Sequence, residues 1–308
     1  MHHVMSQRGE GDWSVFLAHR LICCRATIWS QAGRDLFHCL ILLTAMLFST
    51  DARAEALSFR SEVTTGEFTA TIGGELSFPK GNGPFPAVIL LHPCGGLDPI
   101  ARTTLEVHAR ALLSNGFATL ILDSYGPRNL AGGKACSQRL GLIRRDDAFN
   151  ALAALQRHAN ISRENIFALG LSDGASAALL AAGGGPIGLF RGIAAYYPDC
   201  ERRFAGVGYV YKSPTIVFVG EKDDWTPPAE CVKAKSSGVV TGAEFEVISY
   251  PNAHHGFDQP RQMRKFMGHT LAYNPEAADD SRKRYLAFFT RNLTADLKAA
   301  PPFSGKAR

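Results

Sequence analysis

Gly170-Leu171-Ser172-Asp173-Gly174 sits between an apolar run, Ile166-Phe167-Ala168-Leu169, and an alanine-rich run from Ala175 to Ala182. An apolar run, then a glycine-bracketed serine, then a helix-forming run reads as strand, sharp turn and helix. A serine on such a turn is held at the top of a parallel sheet with its hydroxyl exposed. The competing account is an ordinary β-to-α turn in which Ser172 serves as a helix N-cap. The partners decide between them, because acyl transfer through a serine needs a base, an orienting carboxylate and an oxyanion hole.

In a hydrolase of this type the order along the chain is serine, acid, histidine. Downstream of Ser172 the apolar strand Thr215 to Val219 runs into Gly220-Glu221-Lys222-Asp223-Asp224-Trp225-Thr226-Pro227. A carboxylate just past the carboxyl end of that strand lies on the same rim as the serine turn. Asp223 is preferred over Asp224, and the rival account is a polar loop capping the next helix through Thr226. The alternating run Glu244 to Tyr250 then leads into Pro251-Asn252-Ala253-His254-His255-Gly256-Phe257. His255, directly before Gly-Phe, is the expected base, with His254 as the alternative. Trp225, beside the acid, is expected to wall the acyl site or else to pack on its own loop.

Upstream, Ala87-Val88-Ile89-Leu90-Leu91 is apolar throughout, as a strand buried on both faces would be. It enters His92-Pro93-Cys94-Gly95-Gly96, a loop with backbone N–H groups to spare. The expected oxyanion donors are the amides of Cys94 and of Asp173, the residue after the nucleophile. His92 is expected to be structural rather than a second base.

These four segments, in this order, resemble the dienelactone hydrolase family of α/β-hydrolases over roughly residues 86–289. The resemblance implies an α/β-hydrolase fold, a mostly parallel central sheet with helices on both faces, and a triad of Ser172, Asp223 and His255. Two departures matter. The founding members of that family use a cysteine nucleophile where this chain has Ser172, and a glutamate where it has Pro93. The pattern therefore fits a serine esterase of small esters or lactones better than a dienelactone specialist. The rivals are an acyltransferase or peptidase on the same triad, and a binding protein that kept the fold without catalysis.

The 308 residues suffice for one large domain, expected over residues 55–297, with a flexible tail over 298–308. Strands Ala87 to Leu91, Ala118 to Asp123, Ile166 to Leu171, Gly192 to Tyr196, Thr215 to Val219 and Phe245 to Tyr250 alternate with helices. Those helices are expected near Thr103 to Leu113, Arg145 to His158, Ser172 to Ala182, Ala229 to Ser236 and Asp279 to Leu293. This alternation implies a mostly parallel sheet covered on both faces. Gly73-Gly74 reads as the turn of an antiparallel hairpin between Phe68 to Ile72 and Glu75 to Phe78. The long loop Tyr125 to Arg144, with Arg128, Lys134 and Arg139, is expected to shape the pocket. Arg128 there is a solvated surface residue or a contact for an anionic substrate.

Leu36 to Phe48 is apolar apart from His38 and Thr44, with Arg34 before it and Ala52-Arg53-Ala54 after it. That is the pattern of a secretory signal cleaved near Ala54, and the apolar core is short for a stable membrane span. An exported, periplasmic or secreted protein is expected, cytoplasmic if the signal is not used. Of seven cysteines, Cys94, Cys136, Cys200 and Cys231 lie beyond Ala54. In an exported chain they form disulfides. Cys200 and Cys231 both belong to the sheet rim and are paired, which leaves Cys94 with Cys136. The competing account is four free thiols in a cytosolic protein. The net charge of +5 is modest and spread out, which argues against nucleic acid as a partner. No metal motif, phosphate loop or dinucleotide fingerprint is present, so neither metal nor cofactor is expected. The partner is a small-molecule ester or lactone, and the pattern leaves the oligomeric state open.

Overall fold

The computed structural model describes residues 53–299, apart from residues 65, 67, 131, 133–134, 137–139, 186–188, 201–208 and 239. The expected signal segment and the last nine residues of the expected tail lie outside the described residues, as do Lys134 and Arg139.

An eight-stranded sheet forms the centre, in the order β1-β2-β4-β3-β5-β6-β8-β10. Its strands are β1 (Arg53–Ser61), β2 (Ala70–Phe78), β3 (Phe85–Leu91), β4 (Ala118–Asp123), β5 (Ile161–Leu171), β6 (Ile193–Tyr196), β8 (Thr215–Gly220) and β10 (Phe245–Tyr250). From β4 through β10 every neighbouring pair is parallel, while β1 and β2 add an antiparallel edge. The long helices are α1 (Pro99–Ser114), α2 (Gly141–Gln156), α3 (Asp173–Ala181), α4 (Ala229–Ser236) and α5 (Pro275–Arg291), with a short α6 (Ala295–Ala299) after them. Two small ribbons complete the order: β7 (Tyr209–Tyr211) with β9 (Val240–Gly242), and the hairpin of β11 (Arg264–Phe266) and β12 (His269–Leu271).

Strand β3 shows why the sheet is central. All seven of its residues are buried. Ala87, Ile89 and Leu91 join the core on one face, and Val88 and Leu90 join the core on the other. Burying such a side chain fully contributes about 1.5–3 kcal/mol, so a strand that is apolar on both faces is stable only between two helical layers.

Three expectations are corrected. Gly73-Gly74 is not a hairpin turn but the middle of the continuous strand β2, paired with β1 on one side and β4 on the other. A Cβ on Gly73 would collide with the carbonyl oxygen of Leu57, and one on Gly74 with that of Ile121. The glycines are there because three backbones approach closely. The hairpin that exists is β1–β2, and β1 starts at Arg53, so cleavage after Ala54 would remove two of its nine residues.

Helices α1, α2 and α5 each begin four residues earlier than expected. Asp98 caps α1 by accepting from the amides of Ile100 and Ala101, and Pro99 follows as the first helical residue. Asn274 and Pro275 do the same for α5. A cap residue followed by proline is a start signal written in the sequence.

Finally, Arg128 is neither solvated nor open to a ligand. Its guanidinium makes a two-pronged contact with Asp147, 2.8 Å for each prong, and also donates to the carbonyls of Ser124 and Phe68.

Candidate active site

Strand β5 ends at Leu171, and Ser172 turns the chain into α3 with φ 54° and ψ −117°. A non-glycine residue in that region costs about 1–3 kcal/mol and persists only where its surroundings impose it. The surroundings here are tight. A Cβ on Gly170 would meet the backbone of Gly174, and one on Gly174 would meet the carbonyls of Leu91 and His92. The Ser172 amide donates to the Tyr196 carbonyl at 2.9 Å, fixing the turn to β6. Ser172 occupies the N-cap position of α3, yet its side chain makes no capping bond. Its Oγ lies instead 3.0 Å from Nε2 of His255. The alternative of a simple cap serine is thus set aside by geometry.

The acid loop leaves the end of β8 and the histidine loop follows β10, its parallel neighbour. The amides of Glu221 and Lys222 donate to the carbonyls of Tyr250 and Ala253, so the two loops run together. Nδ1 of His255 is 2.8 Å from Oδ2 of Asp223. The Asp223 carboxylate also accepts from the amides of Trp225 and Thr226 and from the Thr226 hydroxyl. Burial pushes the Asp223 carboxyl up, but its bonds to His255, Thr226 and Trp225 outweigh that and hold it below the usual carboxylate range. Thr226 therefore serves Asp223 and not the next helix, where Pro228 caps α4 without a side-chain bond.

Asp224 and His254 are not part of this chain of contacts. Asp224 bonds the amide and hydroxyl of Thr270, tying the acid loop to the β11–β12 hairpin. His254 has a buried Nδ1 with no hydrogen-bond partner. Trp225 packs on the His255 ring with centroids 4.9 Å apart and stacks on His269 at 5.1 Å.

A cavity of about 50 Å³ opens over Ser172 and His255 and is lined by Pro93, Cys94, Trp225, Arg261 and Phe266 among others. Cys94 and Trp225 thus both line the cavity that holds Ser172. The hairpin that supplies Phe266 left no expectation in the sequence, although Met267-Gly268, both at positive φ, marks its turn.

Behind these residues lie two polar networks. Asp258, three residues after His255, bonds His108 of α1 at 2.8 Å and the Tyr197 hydroxyl at 2.7 Å, all buried. On the other side, Arg144 of α2 reaches both Asp173 and the His92 carbonyl. Burial, with the Arg144 charge beside it, holds the His92 imidazole well below its ordinary pKa, so it stays neutral. That agrees with a structural role for His92.

Both expected cysteine pairs are disulfide-bonded, Cys94 with Cys136 and Cys200 with Cys231. Disulfides persist in oxidising compartments and are rare in the cytosol. Among the described residues no helix is long and apolar enough to cross a membrane, and no cluster of His, Cys, Asp and Glu could hold a metal ion.

Comparison with known proteins follows the same lines. The dienelactone hydrolase-like promiscuous phosphotriesterase from metagenomic libraries superposes with a TM-score of 0.62 at 23% identity, over 79% of this chain and 99% of that one. Dienelactone hydrolase from Anabaena variabilis superposes with a TM-score of 0.56 at 20% identity, over 79% and 99%. At such identities the likeness is one of fold. The peroxisomal succinyl-coenzyme A thioesterase of Mus musculus is 33% identical over 123 residues, which is 40% of this chain. The chain matches only about a quarter of that protein's length (25%). The model of the dienelactone hydrolase family matches residues 72–293, which takes in all of the sheet after β1 except the first two residues of β2, together with the whole site, and the chain belongs to that family.

Proposed function

We propose that the protein is an exported serine hydrolase that cleaves small carboxylic esters or lactones through an acyl-enzyme. The observation that carries the reading is the unbroken line Asp223–His255–Ser172, with contacts of 2.8 and 3.0 Å, opening into a cavity. Nε2 of His255 takes the hydroxyl proton as Ser172 Oγ attacks the carbonyl carbon. The oxyanion is held by the amides of Cys94 and Asp173. Collapse breaks the ester C–O bond, and the imidazolium returns its proton to the departing alcohol. Water then attacks the acyl-enzyme, with His255 again acting as base, and the carboxylic acid leaves. Asp223 stays ionised, fixes the imidazole tautomer and stabilises the imidazolium. Base assistance supplies about 10²–10⁴-fold and each oxyanion donor about 10²–10³-fold.

Turnover of p-nitrophenyl acetate tests the reading. Wild-type protein is expected to release p-nitrophenolate and Ser172→Ala to be silent. Equal rates in the two proteins would refute it. Thioester hydrolysis is the second reading, favoured by the stretch shared with the mouse thioesterase. A thioester cleaved at a kcat/KM at least tenfold above that for the matching oxygen ester would make it the better one. For export, the two disulfides are the support, and a mature N-terminus at Glu55 is the expected result of sequencing the protein from its native host. An intact Arg34 to Phe48 would refute a cleaved signal.

A further inference from the structure

We propose that Arg144 is a positioning residue that sets the oxyanion hole by tying together the two backbone segments that supply its donors. The inference rests on the hydrolase reading above and deepens it.

Arg144 lies in the first turn of α2, outside every motif of the site, and its side chain is completely buried. One arm of the guanidinium, Nη1, donates to Oδ2 of Asp173 at 2.7 Å. The other, Nη2, donates to the carbonyl oxygen of His92 at 2.5 Å. Asp173 follows the nucleophile, and His92 lies two residues before Cys94. A single rigid group thus spans the strand-to-helix turn after β5 and the loop after β3, and each carries one expected donor amide.

The surroundings reinforce the span. The Tyr125 hydroxyl donates to the same Asp173 oxygen at 3.0 Å, and the guanidinium lies over the Tyr125 ring, 5.0 Å from its centroid. The Cys94–Cys136 disulfide and a bond from the Gly132 amide to the Gly95 carbonyl hold the far side of the loop. What remains to be fixed is the distance between the two donors, and Arg144 fixes it.

A buried cation is expensive unless fully paired, and breaking one side of such a pair costs more than the pair contributes. Packing alone would favour an apolar residue here. The planar fork suits the task because its two N–H directions are locked together, which an ammonium on a flexible stem cannot reproduce. The hydrogen bonds and the ion pair of Arg144 go to Asp173 and His92 rather than to Ser172 or His255, so it acts through the segments that carry the donors.

The test is steady-state kinetics of Arg144→Met and Arg144→Lys on p-nitrophenyl acetate, with inhibition by a boronic acid that mimics the tetrahedral intermediate. Because a misplaced donor forfeits much of what a deleted one would, we expect kcat to fall about 30-fold in Arg144→Met. KM should stay within about threefold while boronate inhibition weakens by a factor similar to the loss in kcat. Arg144→Lys should recover less than half of the loss on a logarithmic scale. Circular dichroism and thermal melts establish folding. Should Arg144→Met fail to fold, Asp173→Ala cuts the same tie from its half-buried end and keeps the backbone amide, and a fall in kcat of at least about fivefold at constant KM is expected. An active wild type whose folded variants keep kcat and boronate affinity within about twofold overturns the assignment of Arg144 alone. A wild type without turnover overturns the hydrolase reading, and this inference with it.

Discussion

The two halves of the site are built differently. The half proposed for acid–base chemistry, Asp223 and His255, sits on loops that leave neighbouring strands and bond to one another directly, side chain to side chain. The half proposed for the nucleophile and the oxyanion is made largely of backbone: a strained turn at Ser172 and the amides of Cys94 and Asp173. Backbone cannot be aimed by choosing a side chain at the same position. It has to be held from elsewhere, and here Arg144, Tyr125 and a disulfide reach in from the elements between β3 and β5 to bond its two segments. The groups proposed to move protons are therefore local and motif-bound, while those proposed to place amides are remote and leave no motif.

The comparison breaks most sharply if the line Asp223–His255–Ser172, which joins the two halves, is not catalytic. Ser172→Ala and His255→Ala should each lower kcat by at least about 10⁴-fold, and Asp223→Asn by about 10³–10⁴-fold, measured on p-nitrophenyl acetate. Equal activity in Asp223→Asn and wild type would move the acid elsewhere.

The disulfides sharpen it next. Opening Cys94–Cys136 with the paired Cys94→Ala/Cys136→Ala substitution should lower kcat about three- to tenfold, because the Cys94 amide is a proposed oxyanion donor. Opening Cys200–Cys231 in the same way should leave kcat within about twofold. Either change should destabilise the fold by about 2–4 kcal/mol, read as a shift in urea midpoint. Matching kinetic losses in the two double variants would show that the loop needs no covalent hold.

The smallest effect is electrostatic. His92 is neutral in the folded protein because burial and Arg144 depress its pKa below 6.5. The unfolded chain then binds the extra proton, so stability falls as pH drops below about 6.5, by up to about 1.4 kcal/mol per pH unit from this group. His92→Asn should flatten the loss of stability between pH 6.5 and 5 in urea titrations. An unchanged slope would mean that His92 is not the responsible group. The depressed Asp223 carboxyl acts lower down, its contribution being lost only as pH falls through the carboxylate range.

Much of this was legible because catalysis needs particular residue types at the ends of particular strands. The apolar runs of β3, β5 and β8 announced themselves, and the order of serine, aspartate and histidine followed. The misreadings have physical causes. Gly73-Gly74 looks like a turn because glycine permits one, and nothing local reveals two flanking backbones within collision range. Arg144 reads as the end of a polar loop and Asp147 as a helix residue with no assigned partner, yet both lie in α2, fully buried and paired across the fold. Their partners, Asp173 and Arg128, are distant in sequence, and a long-range pairing has no period to detect.

The central claim is that Ser172 is the nucleophile, and a fluorophosphonate probe followed by peptide mapping tests it most directly. One adduct per chain is expected, located on Ser172, formed quickly in wild-type protein and lost in His255→Ala. An unlabelled wild-type protein, or an adduct on another residue that survives Ser172→Ala, would contradict it.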